Sequence, residues 1–471
     1  MTTLQKIKYY TIADKQFYKR VLTIVLPLVI QNTITNVVSL LDNVMVGATG
    51  TLPMSAVAIV NQLLFIFNLA IWGGLSGAGI FSAQYAGRED HDGVRYCFRG
   101  KLYIAFGALA LACGIFIAFG DQLISAYLAE GTNPEDALTT LTLGKEYLLV
   151  MLIGLPAFAL AQAYGGTLRE MGETKMPMIA SVVAIFTNLI FNYIFIFGNQ
   201  GLKFLPFGPM GVAGAAVATV ISRVVEAVII VTYVHKNKEK YPFIKGLYKS
   251  FHIPKALSLN IVKRGAPLLA NEILWAVGMA AILQCYSQRG LDVVAATNIS
   301  NTISNLFNVV FLSMGNAIAI MLGHMLGNNE MKRARVAVWQ LLTISVVGCI
   351  ILGGVMQLIA PVIPHIYNTS ETVRAMATQL IHIVAVMMPF YAFAHGCYFA
   401  LRSGGKTWIT FFFDTGFTWF SYSVAFILAY FTNVPIIPMY FIVQLIETLK
   451  CVLGFILVKK GVWVNNIVVE S

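Results

Sequence analysis

One carboxylate, Asp42, interrupts the apolar run VVSLLDNVMVG at residues 37–47, and a second, Glu272, interrupts GAPLLANEILWAVG at residues 265–278. A carboxylate in such surroundings can take up and release a proton or bind a small hard cation, because either event neutralises a charge that low-dielectric surroundings disfavour. Asn32, Asn36 and Asn43 accompany Asp42 on its segment. The first two lie ten and six residues before it, a spacing that spreads them around a helix of 3.6-residue period and fits a wet cavity better than a single stripe.

Asn188 and Asn192, in FTNLIFNYIFIFG, are four residues apart and share one helical face. Their carbonyl oxygens suit a hard monovalent cation, or the amides bond across helices; both readings stand. His382 and His395 are either groups that titrate near neutrality or packed rings. Phe67, Phe307, Met387, Met388, Phe390 and Tyr391 either line a pocket for bulky apolar cations or simply pack. Asn32, Asn36, Asn61, Phe67, Gln162, Phe307, Met388, Tyr391 and His395 form the set of substrate-cavity candidates. Asp414 and Glu447 read as structural, Glu447 pairing with Lys450.

These residues need elements to hold them. At 471 residues, with 58% hydrophobic and 11% charged side chains, the chain is too apolar for an ordinary soluble protein. Runs of about 20 apolar residues, the length that crosses a bilayer as a helix, recur twelve times. They are placed at 21–46, 55–85, 101–124, 143–165, 176–198 and 210–235, then 262–288, 293–325, 337–360, 378–400, 407–431 and 436–458. The runs are continuous rather than alternating, so the expected fold class is an all-α integral membrane protein of twelve transmembrane helices, not a barrel. Asp42 then lies about 30 Å along its helix from the N-terminal entry, in the outer half of the membrane.

The net charge of +11 is concentrated in the N-terminal segment, the even-numbered connections and the C-terminus, while the odd connections hold only Lys145, Lys203, Arg289 and Arg374. That asymmetry puts both termini on the cytoplasmic side of a plasma membrane and accounts for the basic total without nucleic acid. Six cysteines stand singly without metal-type spacing, and no cleavable leader or Walker motif is visible. The polar stretch 236–261 reads as a solvated linker with an interfacial amphipathic stretch, between halves 1–235 and 262–471.

The halves match one another. Under a shift of 240 residues Pro27, Asn61, Asn68, Gly87 and Arg95 meet Pro267, Asn301, Asn308, Gly327 and Arg335 without a gap. Under a shift of 233, Pro156, Arg169, Gly172 and Thr174 meet Pro389, Arg402, Gly405 and Thr407. Six spans per half make the repeat parallel, an arrangement typical of secondary transporters with a substrate path between the halves.

The segments IVLPLVIQNTITNVVSLLDNVMVG, LREMGETKMPM and FGPMGVAGAAVATVISR, with paired LRxxGxT motifs at Leu168 and Leu401, resemble the multidrug and toxic compound extrusion (MATE) family over almost the whole chain. The resemblance implies two six-helix lobes around a V-shaped cavity and export of organic cations in exchange for H+ or Na+, with no organic cofactor. It implies that Asp42 is the first-helix coupling carboxylate, that Asn188, Asn192 and Thr219 are its partners at a possible Na+ site, and that Glu272 is the seventh-helix acid. The chain departs from some relatives in carrying Asn192 and Tyr391 where they have aspartates. A monomer in contact with membrane lipids and small organic cations is expected. The alternatives are a flippase for lipid-linked or polysaccharide cargo in the same superfamily and, remotely, an intramembrane enzyme at Ser76 in GLSG.

Overall fold

A computed structural model describes residues 3–128, 133–203 and 205–469. After a short helix α1 (Thr3–Thr11), twelve long helices follow. They are α2 (Lys15–Gly47), α3 (Thr51–Gly87), α4 (His91–Ser125), α5 (Pro134–Glu170), α6 (Lys175–Gly201) and α7 (Gly211–Lys236), then α8 (Lys255–Ser287), α9 (Leu291–Gly327), α10 (Met331–Ile359), α11 (Glu371–Ser403), α12 (Thr407–Phe431) and α13 (Ile436–Lys460). All of α2 to α13 are long and apolar enough to cross a membrane, and there is no strand among the described residues.

Each expected span falls on one of these helices, overrunning it by a single residue at 210, 288 and 360, and most of the helices run further. α4 starts at His91 rather than 101 and α5 covers 134–170 rather than 143–165. Polar residues continue the hydrogen-bonded ladder beyond the hydrocarbon layer, where hydropathy no longer marks it. Local chemistry sets the ends: the Asn133 side chain accepts from the Glu135 amide ahead of α5, and Ser370 Oγ accepts from the Val373 amide ahead of α11. Prolines sit inside four helices, Pro27 in α2, Pro156 in α5, Pro267 in α8 and Pro389 in α11. They occupy equivalent places in the repeat, and each removes one ladder donor.

By packing, the chain forms two compact units. One comprises the chain from Ile30 to Gly79 and from His91 to Ser258; the other comprises the chain up to Val29, Ile80–Asp90, and everything from Leu259 onward. In the first, α7 lies against both α5 and α6. Close approach shows at Gly198, whose φ of 51° is left-handed and whose added Cβ would stand 2.4 Å from the Gly208 carbonyl oxygen. In the second, α11 packs against α9, α10 and α13 around two apolar clusters.

The central stretch sets exposed lysines around a packed apolar centre. Tyr241, Phe243 and Leu247 are buried, Phe243 completely. Two arginines of α4 hold it by donating to its carbonyls: Arg95 Nε to Phe243 O at 2.9 Å, and Arg99 to Leu247, His252 and Gly246 at 3.1, 2.9 and 3.0 Å. Its apolar side chains are one to three residues apart between lysines, a pattern that charge counting reads as solvent-facing. The chain after α13 folds back in the same way, with Trp463 and Ile467 buried.

Candidate functional site

In the first unit, three helices bring four of the expected residues together. α2 carries Asp42, α6 carries Asn188 and Asn192, and α7 carries Thr219. Asn192 Nδ2 donates to Asp42 Oδ1 at 2.9 Å and to Asn188 Oδ1 at 3.1 Å. The four-residue spacing of the amides makes both contacts possible, since side chains at i and i+4 stack on one face.

The Asn188 amide can present either end to the carboxylate. With its nitrogen toward Thr219 Oγ1, 3.2 Å away, its oxygen faces both Asp42 oxygens, acceptor against acceptor. Turned over, its nitrogen donates to Asp42 Oδ2 at 2.9 Å and Oδ1 at 3.2 Å, and its oxygen accepts from Thr219; the bond from Asn192 to Asn188 is then lost. An ionised, unaccompanied carboxylate selects the second arrangement. A proton on Asp42, or a cation between the oxygens, selects the first. Asn192 Oδ1 is buried without a hydrogen-bond partner, an acceptor that a bound cation would satisfy. The donor set therefore suits either a proton or a hard monovalent ion.

Asp42, Asn192 and Thr219 face a cavity of about 290 Å³. Asn61 of α3 lines it and accepts from the Tyr147 hydroxyl of α5 at 3.3 Å. The apolar wall includes Phe65, Met151 and Phe158, with Phe67 buried behind, its ring 6.2 Å from that of Phe158. Asn32, Asn36 and Gln162 are half-buried in the same unit and are not among the cavity's described lining residues. Among the lining residues that escaped the sequence reading are Tyr147 and Arg223. Tyr147 gives no signal, tyrosine being common in membrane helices, whereas Arg223, a charge well inside an apolar run, would have been found by the criterion that found Asp42.

The remaining candidates belong to the second unit. Met388 is in an apolar cluster against which Phe307 and Tyr391 pack, partly buried. The His395 ring sits among Phe311 and Phe399, with centroids 5.3 and 4.9 Å away. His382 pairs with Gln357, whose Nε2 donates back to the His382 carbonyl at 2.8 Å. Glu272 on α8 is 9% exposed, within electrostatic reach of Arg402 and Asp414. Beside it, Asn271 Nδ2 donates to Asp414 Oδ2 at 3.0 Å and Asn271 Oδ1 accepts from Thr415 at 2.8 Å. Lys450 lies 3.8 Å from Glu447, the ion pair expected, and also donates to Asp414 Oδ1 at 2.7 Å across the α12–α13 contact, which makes Asp414 its nearer partner. The Ser76 hydroxyl donates to the Gly73 carbonyl of its own helix at 2.6 Å.

Comparison with known proteins agrees with this architecture. The MatE family model matches the chain twice, over residues 27–194 and 267–442, and the two matches begin 240 residues apart, 267 against 27. The chain is 23% identical over 390 residues to the probable multidrug resistance protein NorM of Thermotoga maritima, covering 83% of this chain and 80% of that one. It is 23% identical to the probable multidrug resistance protein YoeA of Bacillus subtilis, with 87% of each chain covered. Against the multidrug resistance protein NorM of Vibrio cholerae the identity is 24%, with 76% of each covered. Among solved structures, the fold superposes on the outward-facing conformation of a multidrug resistance MATE family transporter with a TM-score of 0.84 at 18% identity, covering 96% of this chain and 98% of that one. It also superposes on a MOP superfamily transporter from Pyrococcus furiosus with a TM-score of 0.81 at 19% identity, covering 98% of both. Twelve membrane-length helices, an internal repeat in the family's register and a polar cluster around a helix-borne acid lead to one conclusion: the chain belongs to the MatE family and is a multi-pass membrane transporter rather than an enzyme.

Proposed function

We propose that the protein is a secondary active antiporter that exports organic cations, including structurally varied drugs, in exchange for H+ or Na+ by alternating access. The observation that carries this reading is the cradle of amide and hydroxyl groups around Asp42 at a cavity wall: Asn192 donating at 2.9 Å, the Asn188 amide against both carboxylate oxygens, and Thr219 behind it. An ion that neutralises Asp42 turns the Asn188 amide and changes which arrangement of the bundle is stable, because a ligand shifts an equilibrium by its differential affinity for the two states. Cargo cation and coupling ion compete for the same carboxylate, so binding one expels the other. The unpaired oxygen of Asn192 favours a role for Na+ alongside H+.

On this reading residues 1–235 and 262–471 are the two lobes, Glu272 is the acid of the second, and the basic connections keep both termini in the cytoplasm of a cell whose plasma membrane holds the protein as a monomer. The test is reconstitution in liposomes with efflux of a fluorescent organic cation driven first by a sodium gradient, then by a proton gradient. Asp42→Asn should abolish gradient-driven efflux while the purified protein stays monodisperse. Efflux at the wild-type rate from that variant would overturn the assignment.

A further inference from the structure

The cavity that holds Asp42 also holds a cation of its own. Arg223, near the midpoint of the 26-residue α7, lines the same cavity. Its guanidinium lies over the Phe158 ring, 4.9 Å from the centroid. Its one hydrogen bond among the described residues is to Glu226, one turn further along α7, with Nη1 to Oε2 at 3.5 Å. That is long for a charge-assisted contact. Glu226 also stands in the field of Arg169, whose larger attraction is to Glu170. No ion pair joins Arg223 to Asp42 among the described residues.

The Arg223 side chain is 39% exposed and lines the cavity, so the N–H groups it does not spend on Glu226 are open to a ligand that enters. Planar oxyacids pair with them best, because a carboxylate or sulfonate accepts two parallel N–H bonds. A simple organic cation entering this cavity would gain from Asp42 and be repelled by Arg223. A molecule with an amine and an acid group satisfies both without leaving either charge alone. We infer that Arg223 makes the cavity selective for amphoteric organic substrates, holding their anionic oxygens while Asp42 meets their cationic nitrogen. This rests on the reading of the cavity as the cargo site.

The experiment uses three probes, benzyltrimethylammonium, its 4-carboxy derivative and the methyl ester of that acid, with binding to the purified protein measured by isothermal titration in the absence of any gradient. The carboxylated probe should bind the wild type at least tenfold more tightly than its methyl ester, and Arg223→Gln should weaken the carboxylated probe at least tenfold more than the plain cation. Arg223→Lys, which keeps the charge and loses the fork, should fall between. Equal weakening of the acid and the plain cation, or equal binding of acid and ester by the wild type, would overturn the inference; the acid–ester comparison needs no variant and stands if Arg223→Gln fails to fold. Selective binding of the acid without gradient-driven efflux of any probe would overturn the antiport reading and leave Arg223 assigned.

Discussion

Gly87 and Gly327 make one contact twice. A methyl group on Gly87 would come within 2.2 Å of the His324 carbonyl oxygen, and one on Gly327 within 1.9 Å of the Gln84 carbonyl oxygen. Residue numbers 87 and 327 differ by 240, as do 84 and 324, so the ends of α3 and α9 meet in a reciprocal arrangement that the internal repeat dictates. Just beyond, Glu89 and Asn329, also 240 apart, both adopt a φ of 59°. Backbone lies against backbone here, and no rotamer change can relieve an added methyl. Gly87→Ala or Gly327→Ala should therefore destabilise the protein by about 1–3 kcal/mol. Gly348→Ala in α10, where the added methyl meets nothing within 4 Å, should be neutral or up to about 1 kcal/mol stabilising. Thermal unfolding of the three variants in detergent checks the contrast.

Asn192 gives the proposed coupling site its donor to Asp42 and its unpaired acceptor at once. Asn192→Leu removes both while keeping a similar volume. In sodium-driven efflux the half-saturating sodium concentration should rise about tenfold, equivalent to about 1.4 kcal/mol, the scale of one hydrogen bond to a charged group. Efflux assays over a sodium series give the value. An unchanged half-saturation would remove Asn192 from the ion's surroundings.

Helix number was legible because hydrocarbon thickness imposes a run length that composition cannot hide. The ends were not: Arg99 and Lys101, at the edge of the span placed at 101–124, are buried inside α4, and Lys101 bonds Thr167 at 2.8 Å and pairs with Glu170. The shared face of Asn188 and Asn192 followed from helical period alone. Thr219, a small hydroxyl in a run of small residues, became visible only through family resemblance. Neither source could say that Tyr147 meets Asn61 or that Lys450 meets Asp414, since both contacts depend on which helices lie side by side. The buried turn at Phe243 was hidden by the lysines around it, whose charges describe the rim of that segment and not its packed centre.

Lys450 and Asp414 are joined at 2.7 Å in largely desolvated surroundings, with Asn271 completing the carboxylate's bonds at 3.0 Å. Breaking such a pair from one side strands the other charge, which costs about 3–5 kcal/mol. Lys450→Met should therefore be severely destabilising, and Lys450→Met combined with Asp414→Asn should recover most of the loss. A double-mutant cycle on thermal unfolding measures the coupling. Equal stability of the single and double variants would show that the pair contributes nothing beyond packing.

Glu173, in the turn between α5 and α6, ties down the chain that follows α7. It accepts from Lys240 Nζ at 2.7 Å and from the Tyr241 hydroxyl at 3.2 Å. Burial alone would push the Glu173 carboxyl up, but bonding and attraction from Lys240, helped by Tyr241, outweigh it and hold the carboxyl below its ordinary value. The Lys240 ammonium is correspondingly held above its own, chiefly by its bond to Glu173. A carboxyl depressed on folding contributes stability above its unfolded pKa and loses that contribution as pH falls through its folded pKa. Acidification through and below the normal carboxylate range should loosen the docking of Tyr241 to Lys249, seen as faster amide hydrogen exchange in that segment than in the neighbouring α4. Glu173→Gln should exchange faster already at neutral pH and show a smaller acid response. An acid response identical in wild type and variant would place the sensitive group elsewhere.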